Sequence, residues 1–137
     1  MSENLKLPAK LENFEVCMNF IEERLERLRL DIRNISKIMT ASEEIVVNII
    51  HYAYKNGEGD LEIIIDDYED HAVLTFLDGG FPFNPLEKRD VDTSLSVHER
   101  EIGGLGIFMV KKLMDEVIYE YREGKNILKI FKNKLTV

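Results

Sequence analysis

Ile102-Gly103-Gly104-Leu105-Gly106-Ile107-Phe108-Met109-Val110-Lys111-Lys112-Leu113-Met114 joins two patterns that cannot belong to one element. Glycines this dense do not sit inside a helix, because each costs about 1 kcal/mol there relative to Ala. The residues that follow are apolar at Ile107, Val110, Leu113 and Met114, with Lys111 and Lys112 between, which is helical spacing. A glycine-rich loop therefore runs directly into an amphipathic helix. A helix start presents unpaired backbone N–H groups and the positive end of the dipole. Glycines there let a phosphate approach the backbone closely. The same stretch also reads as a tight turn between packed elements, and a glycine motif alone does not choose between the two.

Upstream, Leu86–Glu101 carries charge of both signs and little periodicity. A loop this long in a small domain is a functional lid or a disordered segment. The expected lid runs roughly from Asn84 to Glu101, and His98 inside it receives no role. Before it, Asp78-Gly79-Gly80-Phe81-Pro82-Phe83-Asn84-Pro85 ends a strand abruptly. An acid at a strand end beside two glycines suits a ligand edge carrying an N–H donor, and it equally suits an ordinary acidic turn. Leu61–Asp66 and Ala72–Leu77 are apolar and β-branched and read as a hairpin, with His71 as a surface residue at its turn. Downstream of a helix at Ile107–Asp115, Glu116–Arg122 and Lys125–Asn133 alternate as strands around a Glu123-Gly124 turn.

Asn4–Lys10 reads as a short edge strand near Pro8. Leu11, Phe14, Met18, Ile21, Leu25 and Leu28 then recur at steps of three and four, the stripe of one helix. A second helix is predicted from about Asp31, its N-cap, to Tyr54. Ile45, Val46, Ile49, Ile50 and Ala53 make its broad apolar face. Glu44, Asn48 and His51 share the opposite side, because residues three and four apart stack along a helix. A carboxylate one turn from a carboxamide suits a hard cation carrying phosphate, and it also suits a solvated polar face. The predicted order β-α-α-β-β-loop-α-β-β is an α+β two-layer sandwich, with a mixed, mostly antiparallel sheet and helices on one face.

The chain has 137 residues, which is one domain by the usual size range of roughly 100–200 residues. Its net charge of -8 gives little electrostatic support for binding nucleic acid. The start shows neither a basic n-region nor an apolar stretch, and no apolar run reaches the ~18 residues of a membrane helix. A cytoplasmic protein without membrane attachment is the expectation. The single Cys17 cannot close an internal disulfide and reads as a small core hydrophobe.

Taken in order, Glu44-x-x-x-Asn48, Asp78-x-Gly80 and Gly103-x-x-Gly106, with Gly104 inside, resemble the N, G1 and G2 boxes of the GHKL ATPases. That superfamily includes the ATP sites of gyrase, histidine kinases and MutL, and it has the Bergerat fold. Pro82-Phe83-Asn84-Pro85 and Ile102–Ile107 resemble its branch of bacterial anti-sigma-factor serine kinases, regulators of stress and sporulation sigma factors. The resemblance implies ATP and Mg²⁺ as cofactors. It implies that Asn48 holds Mg²⁺ and that Glu44 is the general base. Asp78 accepts a hydrogen bond from the adenine amino group, and Gly80 allows the base close approach. Gly103, Gly104 and Gly106 wrap the phosphates, with the backbone N–H groups of Leu105 and Ile107 pointing at them. It further implies a homodimer that phosphorylates an anti-sigma-factor antagonist and sequesters a sigma factor. One departure stands out: many members have His four residues after the Asn, whereas this chain has Tyr52 there and His51 one position earlier.

Two functions fit this set. One is a serine/threonine-protein kinase of the anti-sigma-factor type. The other is a non-catalytic ATP- or ADP-dependent partner switch. The retained Glu44 favours the first, because a pure binder has no need of it. The ATP-binding part of a sensor histidine kinase is disfavoured, since the first ~30 residues leave no room for a phosphoacceptor helical hairpin.

Overall fold

The computed structural model describes residues 2–54, 57–86 and 106–134. Five strands form one sheet: β1 (Ser2–Pro8), β2 (Asp60–Asp67), β3 (His71–Asp78), β4 (Glu116–Arg122) and β5 (Lys125–Asn133). Their spatial order is β1-β2-β3-β5-β4. All four pairings among the described residues are antiparallel, so the sheet expected to be mixed and mostly antiparallel is antiparallel at every described pairing. Each hairpin closes on a short turn, which permits only that direction. The second hairpin docks through β5, so a strand late in the sequence lies against β3 at the sheet's centre. At the turn before β5, Glu123 has φ 53° and Gly124 φ 78°. Two positive φ angles match the twist of the flanking strands, and Gly adopts them at no steric cost.

A single 3₁₀ turn (Leu11–Asn13) leads into α1 (Phe14–Leu25), which is followed by α2 (Ile32–Tyr52) and, after the undescribed segment, α3 (Gly106–Leu113). The helices cover one face of the sheet. Leu61, Ile63 and Ile65 of β2, Leu74 and Phe76 of β3, and Leu128 and Ile130 of β5 alternate onto that face. They pack with Ile21 and Leu25 of α1, Ile38, Ile45 and Val46 of α2, and Val110 of α3 in one buried cluster. α2 starts where expected, at Asp31, whose carboxylate accepts a hydrogen bond from the Asn34 N–H at 2.9 Å. Such a cap contributes about 1 kcal/mol. Ile45, Val46 and Ile49 are buried on its core face, and Ile50 and Ala53 are half-buried.

Cys17 is fully buried, as expected, and burial pushes its thiol up to about 11, which leaves it unreactive. The stripe read for α1 is shorter than predicted. Leu11 belongs to the 3₁₀ turn and is 65% exposed, and Leu28 follows the helix end. The expected lid is described only as far as Leu86, and His98, Gly103, Gly104 and Leu105 lie outside the described residues. No helix among the described residues is long and apolar enough to cross a membrane.

Candidate functional site

The last residue of β3 is an acid on the helix-covered face. Asp78 lies opposite Leu61 of β2 and Asn126 of β5, and it is only 7% exposed. Its Oδ1 accepts hydrogen bonds from the Gly80 N–H at 2.9 Å and from the Asn126 side-chain amide at 3.0 Å. Burial pushes its carboxyl above the usual value, and those two bonds oppose the shift by favouring the charged form. The Asn126 amide also donates to the Phe81 carbonyl at 2.9 Å. Its oxygen accepts from the Phe83 N–H at 3.1 Å and from the Tyr119 hydroxyl.

The turn after Asp78 is held from its other side by the end of α2. The Tyr54 hydroxyl accepts from the Gly79 N–H at 2.7 Å and donates to the Asp60 carbonyl at 2.6 Å. Burial raises the Tyr54 hydroxyl above its usual value, so it stays protonated as that donor. The Phe81 N–H donates to the Ala53 carbonyl at 3.3 Å. A Cβ on Gly80 would overlap the Ala53 backbone, and one on Gly59 would overlap the Tyr54 ring. Gly80 thus has a packing reason of its own, distinct from the close approach of a ligand.

These elements enclose a cavity of about 360 Å³. Ile45 and Ile49 of α2, Phe76 of β3 and Leu128 of β5 supply apolar walls, and Asp78, Asn126 and Asn48 supply polar groups. Among the described residues that line it, Asp78 is the one charged side chain. Ile107 of α3 closes a further side, and Gly106 is the first residue of that helix. A predominantly apolar slot with a few convergent polar groups is the form of a small-molecule site.

Of the residues singled out in the sequence, Asn48, Asp78 and Ile107 reach this cavity. Glu44 stands one turn before Asn48 on α2, half-buried and outside the cavity lining. His51 is exposed; Tyr52 lines the cavity beside Asn48 instead. Neither lysine of α3 lines it. Lys111 Nζ donates to the Leu86 carbonyl at 3.4 Å, and Lys112 lies 4.8 Å over the Phe108 ring. Sequence reasoning missed Asn126, Tyr54 and Tyr119. A polar residue at an inward position of β5 was the available signal for Asn126, but only the strand register places it opposite Asp78.

Comparison with known proteins agrees with this architecture. Residues 7–132 match the family described as "Histidine kinase-like ATPase domain". The chain is 29% identical over 128 residues to the "Serine-protein kinase RsbW" of Bacillus cereus (strain ZK), covering 90% of this chain and 80% of that protein. The protein of the same name from Bacillus thuringiensis subsp. konkukian (strain 97-27) matches equally, with 29% identity over 128 residues and the same coverage. Among solved structures, the RsbU and RsbW domains of Rv1364c from Mycobacterium tuberculosis superpose with a TM-score of 0.68 at 15% identity, covering 96% of this chain and 32% of that one. The catalytic domain of the histidine kinase ThkA gives a TM-score of 0.51 at 14% identity, over 96% of this chain and 97% of that one. With the match spanning nearly every strand and helix that builds the cavity, the chain belongs to the histidine kinase-like ATPase domain family.

Proposed function

We propose that the protein is an ATP-dependent serine/threonine-protein kinase of the anti-sigma-factor type, acting as a homodimer on a serine of an anti-sigma-factor antagonist and sequestering a sigma factor. The observation that carries the reading is the buried Asp78 carboxylate at the base of an apolar cavity that also holds Asn48, in a chain of this family. What supports a purine is the chemistry of the lining: apolar walls suit the ring, and a carboxylate held by N–H donors suits its amino group. Asn48 is a half-buried carboxamide in the same cavity, and an oxygen ligand of that kind suits Mg²⁺, which is otherwise held largely by phosphates and water.

In this reading Asp78 accepts from the adenine amino group, and Ile45, Ile49, Phe76 and Leu128 keep water from the base. Asn48 is the protein's ligand to Mg²⁺. Glu44, one turn away, accepts the proton of the incoming serine hydroxyl. Gly103, Gly104 and Gly106, with the N–H groups of Leu105 and Ile107, take the phosphates; the first two glycines and Leu105 lie outside the described residues. When bound, Mg²⁺-ATP supplies the phosphoryl group with part of its charge neutralised. The alternative, a non-catalytic ATP- or ADP-dependent partner switch, needs the same cavity and no base. The position of Glu44 outside the cavity lining is what favours it.

The test combines calorimetry with labelled ATP and small antagonist-like proteins from the same genome. Wild type is expected to bind Mg²⁺-ATP and to label a partner serine. Asp78→Asn is expected to weaken ATP binding by about 1–3 kcal/mol, the cost of a mismatched buried polar contact. Undiminished affinity in that variant removes Asp78 from the adenine site. Binding without any transfer makes the partner switch the better reading, and absence of nucleotide binding overturns both.

A further inference from the structure

An asparagine side chain offers two N–H donors and an oxygen with two lone pairs. In Asn126, only 7% exposed, all four are in use. The two donors go to Asp78 Oδ1 and the Phe81 carbonyl, and the oxygen accepts from the Phe83 N–H and the Tyr119 hydroxyl. The network also fixes which way the amide points. Flipping it would set its oxygen against a carboxylate and a carbonyl, and its N–H₂ against the Phe83 N–H. No capacity is left for a ligand, yet Asp78, Phe81, Phe83 and Tyr119 all line the cavity. Both of these hydrogen bonds to Asp78 fall on Oδ1, so Oδ2 is the oxygen with acceptor capacity to offer a base.

We propose that Asn126 is the positioning residue of the nucleotide pocket: it turns Asp78 so that one carboxylate oxygen faces the base, and it holds the Phe81–Phe83 backbone as a wall of the same cavity. The inference rests on the ATP-binding reading above. No smaller polar side chain does both jobs, because a Ser or Thr hydroxyl has one donor and cannot reach two acceptors while taking two N–H or O–H groups. Among the forces on Asp78, burial works against its charge, and the Asn126 amide is the larger of the two hydrogen bonds that work for it.

Asn126→Asp separates positioning from mere packing, because it keeps the shape and removes the donors to Asp78. Ionised, the introduced carboxylate repels Asp78; protonated, its hydroxyl donates to Asp78 as the amide did. The titratable groups near this pair are the hydroxyls of Tyr54 and Tyr119, with Tyr52 lining the same cavity; α3 contributes Ile107, and none of the described cavity-lining residues is a cation to offset a second negative charge. Binding of ATP in excess magnesium is measured from pH 5.5 to 8. The affinity ratio of variant to wild type is expected to fall about tenfold or more at pH 8 and to recover as pH drops. In ligand-free protein, Asn126→Ala is expected to speed hydrogen exchange of the Phe83 amide about tenfold or more, with β2 amides unchanged. An affinity ratio near one at every pH, or two variants that lose thermal stability yet bind ATP like wild type, overturns the inference. An unchanged Phe83 exchange rate overturns the wall-holding role. Wild-type protein that binds no ATP sinks the functional reading itself, and the exchange experiment still decides the Asn126–Phe83 tie.

Discussion

Asp78 and Glu44 are two carboxylates of one proposed site, and the fold treats them in opposite ways. Asp78 ends a central strand, is buried, and has its Oδ1 occupied by the Gly80 N–H and the Asn126 amide. Glu44 lies on the side of a helix, half-buried and outside the cavity lining. The protein itself determines the orientation of the first before any ligand arrives. The second stands one helical turn before Asn48, and the task proposed for it depends on what binds there. On the proposed kinase reading the pre-set acceptor serves recognition and the marginal acid serves chemistry; on the partner-switch reading Glu44 has no task, so the two readings part at this residue.

The largest effect expected from this contrast lies with Glu44. Glu44→Gln keeps the shape and removes the base, so transfer to a partner serine is expected to fall about 10²–10⁴-fold in single-turnover assays. ATP affinity should stay near wild type or improve slightly as a negative charge is removed. Asn48→Ala in the same assay should instead lose magnesium-dependent binding. Wild-type transfer by Glu44→Gln would erase the distinction between the two acids.

A smaller effect sharpens the Asp78 side. Gly80→Ala forces a methyl group into the Ala53 backbone, which cannot yield as a flexible side chain would. Thermal unfolding should show a loss of about 1–3 kcal/mol, typical of overpacking, with weaker ATP binding as the turn shifts. Gly57→Ala, with open space around the added carbon, serves as the control and should leave both unchanged. If Gly80→Ala unfolds and binds like wild type, the turn is not pinned by α2.

The smallest effect is in pH-dependent stability. Because burial raises the Asp78 carboxyl above its ordinary 3.8, folding favours its protonated form. Its contribution to stability is fully present below 3.8 and is lost as pH rises through the folded-state value. Denaturant unfolding of wild type against Asp78→Asn should therefore show wild type losing ground as pH climbs past that range. A difference that is constant with pH would mean the burial cost is fully offset by the two hydrogen bonds.

Much of the fold was legible because its periodicities are clean. β4 and β5 have the ends read from alternation around Glu123-Gly124, and α2 begins at its Asp31 cap. What sequence could not supply was register and tilt. Asn126 looks like one of several polar residues in β5 until pairing sets it against Asp78, 48 positions earlier. Helical spacing allowed either His51 or Tyr52 to neighbour Asn48, being three and four residues on. The seating of α2 on the sheet selected Tyr52. Gly80 was read as room for a ligand, and only the packed structure reveals the Ala53 carbonyl against it. Leu11 fitted a helical stripe in sequence, but the 3₁₀ turn rotates it to solvent.

The place of β5 between β3 and β4 has a consequence for how the protein is made. Every helix and strand on which the pocket depends, except one, precedes residue 125 in the chain. A growing polypeptide emerging at roughly 5–20 residues per second therefore has β1, β2, β3 and the helices available while β5, which lies beside β3, is still missing. During that interval β3 has one edge unpaired, and Asp78 lacks its amide partner. On the proposed reading nucleotide does not template the early stages, because the cavity assigned to it is completed by β5, which pairs with β3. Completion of the β3 pairing and of the proposed pocket thus both wait for β5, and until it pairs β3 presents an open edge, the kind of surface that templates association with other strands.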